Sequence, residues 1–255
     1  MATKKSKILF LDILTDKPVV RNKIEKFIYN GKTYGEEIRK ILGLKKSEFD
    51  CIDASKNVFP NLNNYNGIII GGSTEDPISG TEKKWVLKTY DFIKLAISVS
   101  IPMLGICGGL QFVVRALGGE VIYNPKGRNF GNSVIHLTKK GLLDKLFKDL
   151  PETFKVYSSH KCIVKNLKKD WSCLGFSEKT PFEVIAIGDN IRLVQFHPEM
   201  TTNAIKSLSL LRKDSLIKEG YLKEGGFDEF LRALNSDENV NKKILNNFIV
   251  NFSKK

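Results

Sequence analysis

Short apolar runs alternate with segments of helical periodicity through the first half of the chain. The nearly continuous apolar runs predict buried strands at 7–14, 49–53, 65–72 and 101–106. Apolar positions three or four residues apart predict helices at 35–44, 83–98 and 109–117, the last ended by a glycine pair. Strand and helix in alternation predict right-handed crossovers, and hence an open, mostly parallel sheet with helices on both faces.

The pattern changes after about residue 120. Shorter runs predict added antiparallel strands at 120–123, 133–137, 153–158, 183–187 and 191–196, with one helix at 141–150 among them. Beyond residue 200 the chain is more polar, and helices are predicted at 208–217, 227–234 and 240–252. We therefore predict an α/β domain over 1–200 and a C-terminal helical extension over 201–255 that packs on it.

The composition is that of a folded protein without a membrane partner. Of the 255 residues, 42% are hydrophobic and 27% are charged, which excludes wholesale disorder. The apolar runs are far shorter than the about 20 residues that a membrane span requires. The basic segment 1–7 precedes an apolar stretch that contains Asp12 and no small-residue cleavage site, so we interpret that stretch as the first strand and not as a signal peptide.

The cysteine spacing and the net charge bear on disulfides, metal sites and nucleic-acid binding. None of the four cysteines has C-x-x-C spacing, which predicts neither a disulfide scaffold nor a structural metal site and favours a reducing cytoplasm. The 41 Lys and Arg residues against 28 Asp and Glu give a net charge of +13. Because the lysines are scattered and rarely lie next to aromatic residues, we attribute this charge to compositional bias and expect no nucleic-acid partner.

A strand that ends in a cysteine is the most informative feature. Cys107 follows the fourth predicted strand and precedes a predicted helix, with Gly105 and Gly109 two residues to either side. This is the pattern of a nucleophile elbow, in which glycines permit close backbone approach around a sharp turn. The amino end of the helix favours the charged thiolate. The amide of Gly108 would point to the place where an oxyanion develops.

A nucleophilic thiol needs a base, and the chain has three histidines. His197 is best placed, because it follows a predicted strand and Glu199 lies two residues on, with a proline between them. Glu199 could orient the imidazole and stabilise its charged form. We interpret His136 as structural, because it lies within an apolar stretch, and His160 as a residue of the pocket wall.

The two segments together resemble a known family. G-I-C-G-G-L-Q and Q-F-H-P-E match the G-x-C-x-G-x-Q and H-P-E patterns of the class I (triad) glutamine amidotransferases, in the right order and at typical spacing. The resemblance covers about 7–200 and is greatest to stand-alone proteins similar to the amidotransferase domain of GMP synthase. It implies a flavodoxin-like sheet, a triad of Cys107, His197 and Glu199, and no cofactor or metal.

The resemblance also implies substrate-binding residues. Gly72, after the third predicted strand, would supply a second oxyanion amide beside that of Gly108. Gln111 would hold the α-amino acid end of the substrate, and Ser159 and His160 belong to the segment that would lie along bound glutamine. The implied reaction is thiolate attack on the glutamine side-chain amide, release of ammonia, and hydrolysis of a γ-glutamyl thioester.

Three functions are open on this evidence. The first is hydrolysis of glutamine with transfer of ammonia to a separate synthase subunit, since nothing in the sequence resembles an ATP-pyrophosphatase loop. The second is a stand-alone γ-glutamyl peptidase or hydrolase that uses the same residues. The third is a non-catalytic regulatory protein, against which the intact set of three residues argues.

Overall fold

The computed structural model describes residues 7–253. Its strands are β1 (Ile8–Asp12), β2 (Phe49–Asp53), β3 (Gly67–Ile70), β4 (Met103–Ile106), β5 (Val121–Tyr123), β6 (Asn129–Leu137), β7 (Thr153–His160), β8 (Cys162–Val164), β9 (Trp171–Phe176), β10 (Val184–Ile187) and β11 (Ile191–Val194). Its helices are α1 (Pro18–Ile28), α2 (Tyr34–Ile41), α3 (Lys84–Ser98), α4 (Gly108–Ala116), α5 (Lys139–Leu142), α6 (Thr202–Lys218), α7 (Phe227–Ala233) and α8 (Glu238–Phe248), and a π-helical turn follows at Ile249–Ser253. The basic residues 1–6 lie outside the described residues.

The main sheet has the strand order β2-β1-β3-β4-β11-β10-β9-β6-β7. The first five strands are parallel, and the remaining four extend the sheet in antiparallel fashion. Strands β5 and β8 form a separate antiparallel pair. The prediction of a mostly parallel core with added antiparallel strands is thus confirmed. The strand predicted at 191–196 is an exception to that prediction, because β11 is not an antiparallel addition but runs parallel to β4 and completes the parallel core. The carboxyl ends of β3, β4 and β11 lie side by side, which is where ligands bind in open α/β sheets.

Alternate side chains of β1 enter two separate cores, one on each face of the sheet. Phe10 packs in a cluster with residues of α2 and α8, among them Ile38 and Phe248. Leu9, on the opposite face, packs with residues of α3 and α4, among them Val86. A strand buried on both faces must be apolar at every position, which is why its sequence is a continuous apolar run.

The C-terminal helices pack on the sheet domain. Ile205 of α6 lies in a cluster with Ile28 of α1, and α8 contributes Ile244 and Phe248 to a core under the sheet. The division of the chain at residue 200 stays a prediction, because these helices share cores with the preceding elements. No helix within 7–253 is long and apolar enough to cross a membrane.

Several local predictions were wrong or incomplete. The helix predicted at 141–150 is only the four residues of α5 and a 3-10 turn, because the side chain of Asp144 accepts the N–H of Leu146 and caps a new turn. Helix α1 was missed although Val20, Ile24 and Ile28 recur at helical spacing; only Ile28 among its residues is buried. Strands β8 and β9 were also missed; β9 contains Ser172 and Gly175, which weaken a strand pattern.

Candidate active site

Cys107 occupies the sharp turn between β4 and α4. Its backbone angles, φ 50° and ψ −101°, lie outside the regions that side-chain-bearing residues ordinarily adopt. Such a conformation costs roughly 1–3 kcal/mol and persists only where the surroundings hold it. Here the N–H of Cys107 donates to the carbonyl of Val194 at 2.7 Å, which ties the turn to the end of β11.

The glycines around the cysteine are required by close packing. A Cβ atom on Gly109 would collide with the carbonyl oxygen of Ile70 in β3, and one on Gly105 would lie 2.8 Å from the backbone of Gly109. A Cβ atom on Gly108 would lie 2.6 Å from the backbone nitrogen of Ser73. Helix α4 therefore starts directly against the turn that follows β3, as the spacing of glycines in the sequence predicts.

His197 and Glu199 follow β11 and lie beside this turn. Nδ1 of His197 is 2.8 Å from Oε1 of Glu199, and both side chains are buried. Burial favours the neutral imidazole, but the proximity of Cys107 and Glu199 favours the charged form more and raises the pKa of His197 to about 10. The structure thus brings together the cysteine, the imidazole and the carboxylate that the sequence singled out, although 90 positions separate the first two.

Tyr34, at the start of α2, completes this arrangement and was missed at the sequence level. Its hydroxyl donates to Oε1 of Glu199 at 2.8 Å and accepts the N–H of Gly72 at 2.9 Å. Burial, together with the charge of Glu199, raises the pKa of Tyr34 well above its usual value, so the hydroxyl remains a donor. The Tyr34 ring stacks on that of Tyr29, with centroids 5.0 Å apart.

The backbone amides near Cys107 differ from expectation at one position. The N–H of Gly72 is donated to Tyr34 and does not face an oxyanion space, in contrast to the expected role. The amide of the next residue, Ser73, lies against Gly108, and no hydrogen bond engages it within the described part of the chain. The N–H of Gly108 is the first of α4 and has no acceptor within its own helix.

Two glutamines lie on the other side of the thiol. Nε2 of Gln111 donates to the carbonyl of Cys162 at 3.1 Å and to Oε1 of Gln195 at 3.2 Å. Nε2 of Gln195 in turn donates to Sγ of Cys107 at 3.7 Å. Gln111 borders the cavity beside Cys107, where its Oε1 can accept from a ligand. Gln195 was not predicted as a site residue from the sequence. It lies inside the Q-F-H-P-E segment, two residues before His197, and this position was the one sign of its place in the site.

Ser159 and His160 form the opposite wall of the cavity beside Cys107. The carbonyl of Ser159 lies 3.9 Å from Sγ of Cys107, and its hydroxyl accepts from Arg212 of α6 at 3.0 Å. Burial lowers the pKa of His160 to about 3, so its ring is neutral, with Nδ1 donating to the carbonyl of Cys162. Its buried Nε2 has no partner within residues 7–253 and can accept from a ligand. His136 is exposed on β6, away from this site.

Comparison with known proteins identifies the family. The sequence model described as glutamine amidotransferase class-I matches residues 26–213. The chain belongs to this family. A solved glutamine amidotransferase from Thermotoga maritima shares the fold, with a TM-score of 0.73 at 20% identity over 98% of this chain and 99% of that one.

Two relatives of this class-I glutamine amidotransferase differ in the function that their names give. Gamma-glutamyl peptidase 4 of Arabidopsis thaliana is 27% identical over 232 residues, which are 88% of this chain and 90% of that protein. The glutamine-hydrolyzing GMP synthase of Thermosipho africanus is 40% identical over 150 residues, which are 58% of this chain. The matched segment is only 27% of that GMP synthase, so most of the synthase has no counterpart in the alignment.

The side chains around Cys107 in this amidotransferase are suited to chemistry at a thiol. No group of three His, Cys, Asp or Glu side chains arranged for a metal ion occurs among residues 7–253. The cysteine, the imidazole and the carboxylate form a chain in which His197 lies between Cys107 and Glu199. Such a chain can activate a nucleophile and carry a proton to a leaving group.

Proposed function

We propose that the protein hydrolyses γ-glutamyl amide bonds with Cys107 as the nucleophile. The observation that carries this proposal is the buried pairing of Cys107 with a charged His197, whose other nitrogen is held by Glu199. A thiolate attacks a carbonyl carbon, whereas a protonated thiol does not. The strained backbone of Cys107 supports the same proposal, because strain of this kind is concentrated at functional sites.

The geometry suggests a role for each neighbour. The thiolate attacks the γ-carbonyl carbon, and the amides of Gly108 and Ser73 stabilise the oxyanion, in place of the amide of Gly72. His197 gives its proton to the departing nitrogen, which leaves as ammonia or an amine. His197 then accepts a proton from the water that cleaves the γ-glutamyl thioester, and glutamate is released. Gln111 and His160, with the backbone of Ser159, would hold the α-amino acid end.

The leaving group distinguishes two candidate functions. The match to gamma-glutamyl peptidase 4 along nearly the whole of both chains favours a stand-alone peptidase, which releases an amino acid or peptide. The match to GMP synthase favours hydrolysis of glutamine, with ammonia supplied to a separate synthase. Both would work through the same thiol in a reducing compartment, and we propose the cytoplasm, since all four cysteines are free.

The test is a substrate panel assayed for released glutamate. We expect the wild-type protein to cleave γ-glutamyl amino acids, glutamine or both, and Cys107→Ser and His197→Gln to lose at least roughly a thousandfold in kcat. Cys173→Ser, a free thiol in β9, should retain wild-type activity. Activity that survives in Cys107→Ser would refute the proposal, and inactivity of the wild type on every member would favour a regulatory protein. Glutamine cleavage that rises when a synthase is added would select the second candidate.

A further inference from the structure

A second cavity opens beside His197, where α1 meets α6. Its walls are largely apolar and include Leu14, Ile24, Ile28, Tyr29, Met200 and Leu208. Its inner end is formed by the turn at Gly72 and by His197 itself. Ammonia, the product of glutamine hydrolysis, needs no apolar space of this kind. The volume of the cavity is only about 50 Å³, so an amino-acid leaving group would fill it in part and otherwise extend toward solvent.

Arg212 of α6 is the cation at the wall of this cavity. Its Nη1 donates to the hydroxyl of Ser159 at 3.0 Å, and no carboxylate of residues 7–253 lies within 4 Å of the guanidinium. Burial and the neighbouring Arg128 lower the pKa of Arg212, which reflects the cost of keeping its charge in this place. Arg212 is half-buried and no carboxylate of the described residues is paired with it directly, so an anion of a ligand can bind to its guanidinium.

Four other arginines with little exposure each have a carboxylate partner. The pairs are Arg21 with Asp12 at 2.6 Å, Arg115 with Glu82 at 2.6 Å, Arg128 with Glu219 at 2.5 Å and Arg192 with Asp144 at 2.8 Å. Arg212, like Arg39, has no such partner among residues 7–253, but it borders a cavity from which a ligand can supply the missing group. Because a guanidinium presents its donors as a planar fork, the ligand group that fits it best is a carboxylate.

We propose that the apolar cavity receives the leaving group of the substrate and that Arg212 binds the carboxylate of that leaving group. The substrate is then a γ-glutamyl amino acid whose second residue has an apolar side chain and a free carboxylate. This inference rests on the proposed function, because the leaving nitrogen must depart on the side of His197, which protonates it. His197 lines the apolar cavity.

Arg212 also borders the polar cavity that contains Cys107 and Gln111, where the glutamyl part would lie. The other basic side chains of that polar cavity are already matched by acids: Lys161 pairs with Asp76 at 2.7 Å, and Arg128 pairs with Glu219. In the apolar cavity, by contrast, Arg212 is the one charged side chain besides His197. This difference between the two cavities favours binding of Arg212 to the carboxylate of the leaving group and not to the α-carboxylate of the glutamyl part.

The reaction balances without any further reagent. The sulfur of Cys107 forms a bond to the γ-carbonyl carbon, and the bond from that carbon to nitrogen breaks. The nitrogen takes the proton of His197 and leaves as the α-amino group of a free amino acid. Water then cleaves the thioester, so the sum is a γ-glutamyl amino acid plus water giving glutamate and an amino acid.

The experiment compares two substrates that differ only in the proposed contact. γ-Glutamyl-leucine carries the leaving-group carboxylate, and γ-glutamyl-leucinamide lacks it. We expect the wild-type kcat/KM to be roughly ten- to a hundredfold higher for the acid, the value of a hydrogen-bonded charge pair. In Arg212→Met this ratio should fall to about one, and Arg212→Lys should give an intermediate ratio because it keeps the charge without the fork.

Matched controls keep the result specific. Lys218→Met removes an exposed cation from the last turn of the same helix and should leave the ratio at its wild-type value. γ-Glutamyl-aspartate should be cleaved more slowly than γ-glutamyl-leucine, because the cavity wall is apolar. Circular dichroism of each variant checks that its fold is retained.

The inference would be overturned by a wild-type ratio near one, by a ratio that Arg212→Met leaves unchanged, or by a parallel loss on both substrates and on glutamine. The last result would mean that Arg212 serves the glutamyl part or merely positions Ser159. Cleavage of glutamine without cleavage of any γ-glutamyl amino acid would refute this inference and leave the proposed function standing, whereas activity that persists in Cys107→Ser would refute the proposed function itself.

Discussion

The hydroxyl of Tyr34 donates a 2.8 Å hydrogen bond to Oε1 of Glu199, across 165 positions of sequence. The same oxygen lies 2.8 Å from Nδ1 of His197, and the Tyr34 hydroxyl also accepts the N–H of Gly72. The second carboxylate oxygen of Glu199 is buried and has no partner within residues 7–253. The orientation of the carboxylate therefore depends on Tyr34 and His197, and Tyr34 joins the turn after β3 to the turn after β11.

Replacement of Tyr34 by Phe should weaken both the fold and the reaction. It removes one donor to an ionised carboxylate and leaves the N–H of Gly72 without its acceptor, so we expect a loss of roughly 1–3 kcal/mol in the free energy of unfolding. We also expect kcat/KM to fall about tenfold, because the imidazole loses part of its support. Urea unfolding and steady-state kinetics on the cleaved substrate measure the two effects.

Tyr65→Phe is the matched control for that substitution. The hydroxyl of Tyr65 donates to Asp50 at 2.7 Å at the edge of the sheet, away from Cys107. This variant should lose some stability and keep its kcat/KM. Equal kinetic losses in the two variants would show that the effect of Tyr34 on the reaction is only a consequence of lower stability.

The central strands of the sheet could be predicted, because each is marked by a pattern within a short stretch of sequence. The runs that became β3 and β4 are apolar at every position, as full burial on both faces of a sheet requires. The glycines around Cys107 were also informative, since Gly105 faces the backbone of Gly109 and Gly109 faces that of Ile70 in β3. The positions of His197 and Glu199 followed from a strand and a short turn.

Contacts between distant segments could not be predicted in the same way. Tyr34 and Arg212 reach the site from α2 and α6, and a tyrosine or arginine on a helix carries no local sign of its partner. The engagement of the Gly72 amide was missed for this reason, because its acceptor is the Tyr34 hydroxyl. The helix predicted at 141–150 failed because capping by Asp144 outweighed the apolar spacing.

Gly108→Ala should disturb the amides that we propose for the oxyanion. The added methyl group would lie 2.6 Å from both the nitrogen and the Cβ of Ser73, so the turn after β3 must move away from α4. We expect kcat to fall roughly a hundredfold, the usual effect of losing one oxyanion donor. Gly226→Ala is the control, since a Cβ there has its nearest contact at 3.4 Å and the residue lies far from Cys107. Retained activity in Gly108→Ala would argue against Ser73 and Gly108 as the donors.

Alkylation should distinguish Cys107 from the other thiols. Burial raises the pKa of Cys51 and of Cys162 to about 12 and also raises the pKa of Cys173, so these thiols are protonated at neutral pH. A chloroketone analogue of glutamine at pH 7.5 should modify Cys107 alone, and peptide mass mapping should find the label there. Free glutamate in excess should slow the labelling. Equal labelling of Cys162 would contradict the special reactivity of Cys107.

The buried carboxyl of Glu183 should make stability depend on pH in a defined direction. Its Oε1 accepts the Ser177 hydroxyl at 2.7 Å, its Oε2 is without a partner among the described residues, and burial raises its pKa to about 7 from an ordinary 4.5. The folded protein thus holds this proton more tightly than the unfolded chain. The contribution of the protonated carboxyl to stability is therefore fully present below pH 4.5 and is lost as the pH rises through 7.

Relative to the wild type, Glu183→Gln should gain roughly 3 kcal/mol in the free energy of unfolding between pH 4.5 and pH 8. Glu178 is exposed, so Glu178→Gln is the control and should show the same dependence of unfolding free energy on pH as the wild type. His160 has the opposite effect on stability below pH 6.5, but it is present in all three proteins, so its effect cancels when their unfolding free energies are subtracted. Parallel unfolding curves for wild type and Glu183→Gln would mean that the carboxyl is ionised in the folded protein at neutral pH, stabilised by the Ser177 hydroxyl against the effect of burial.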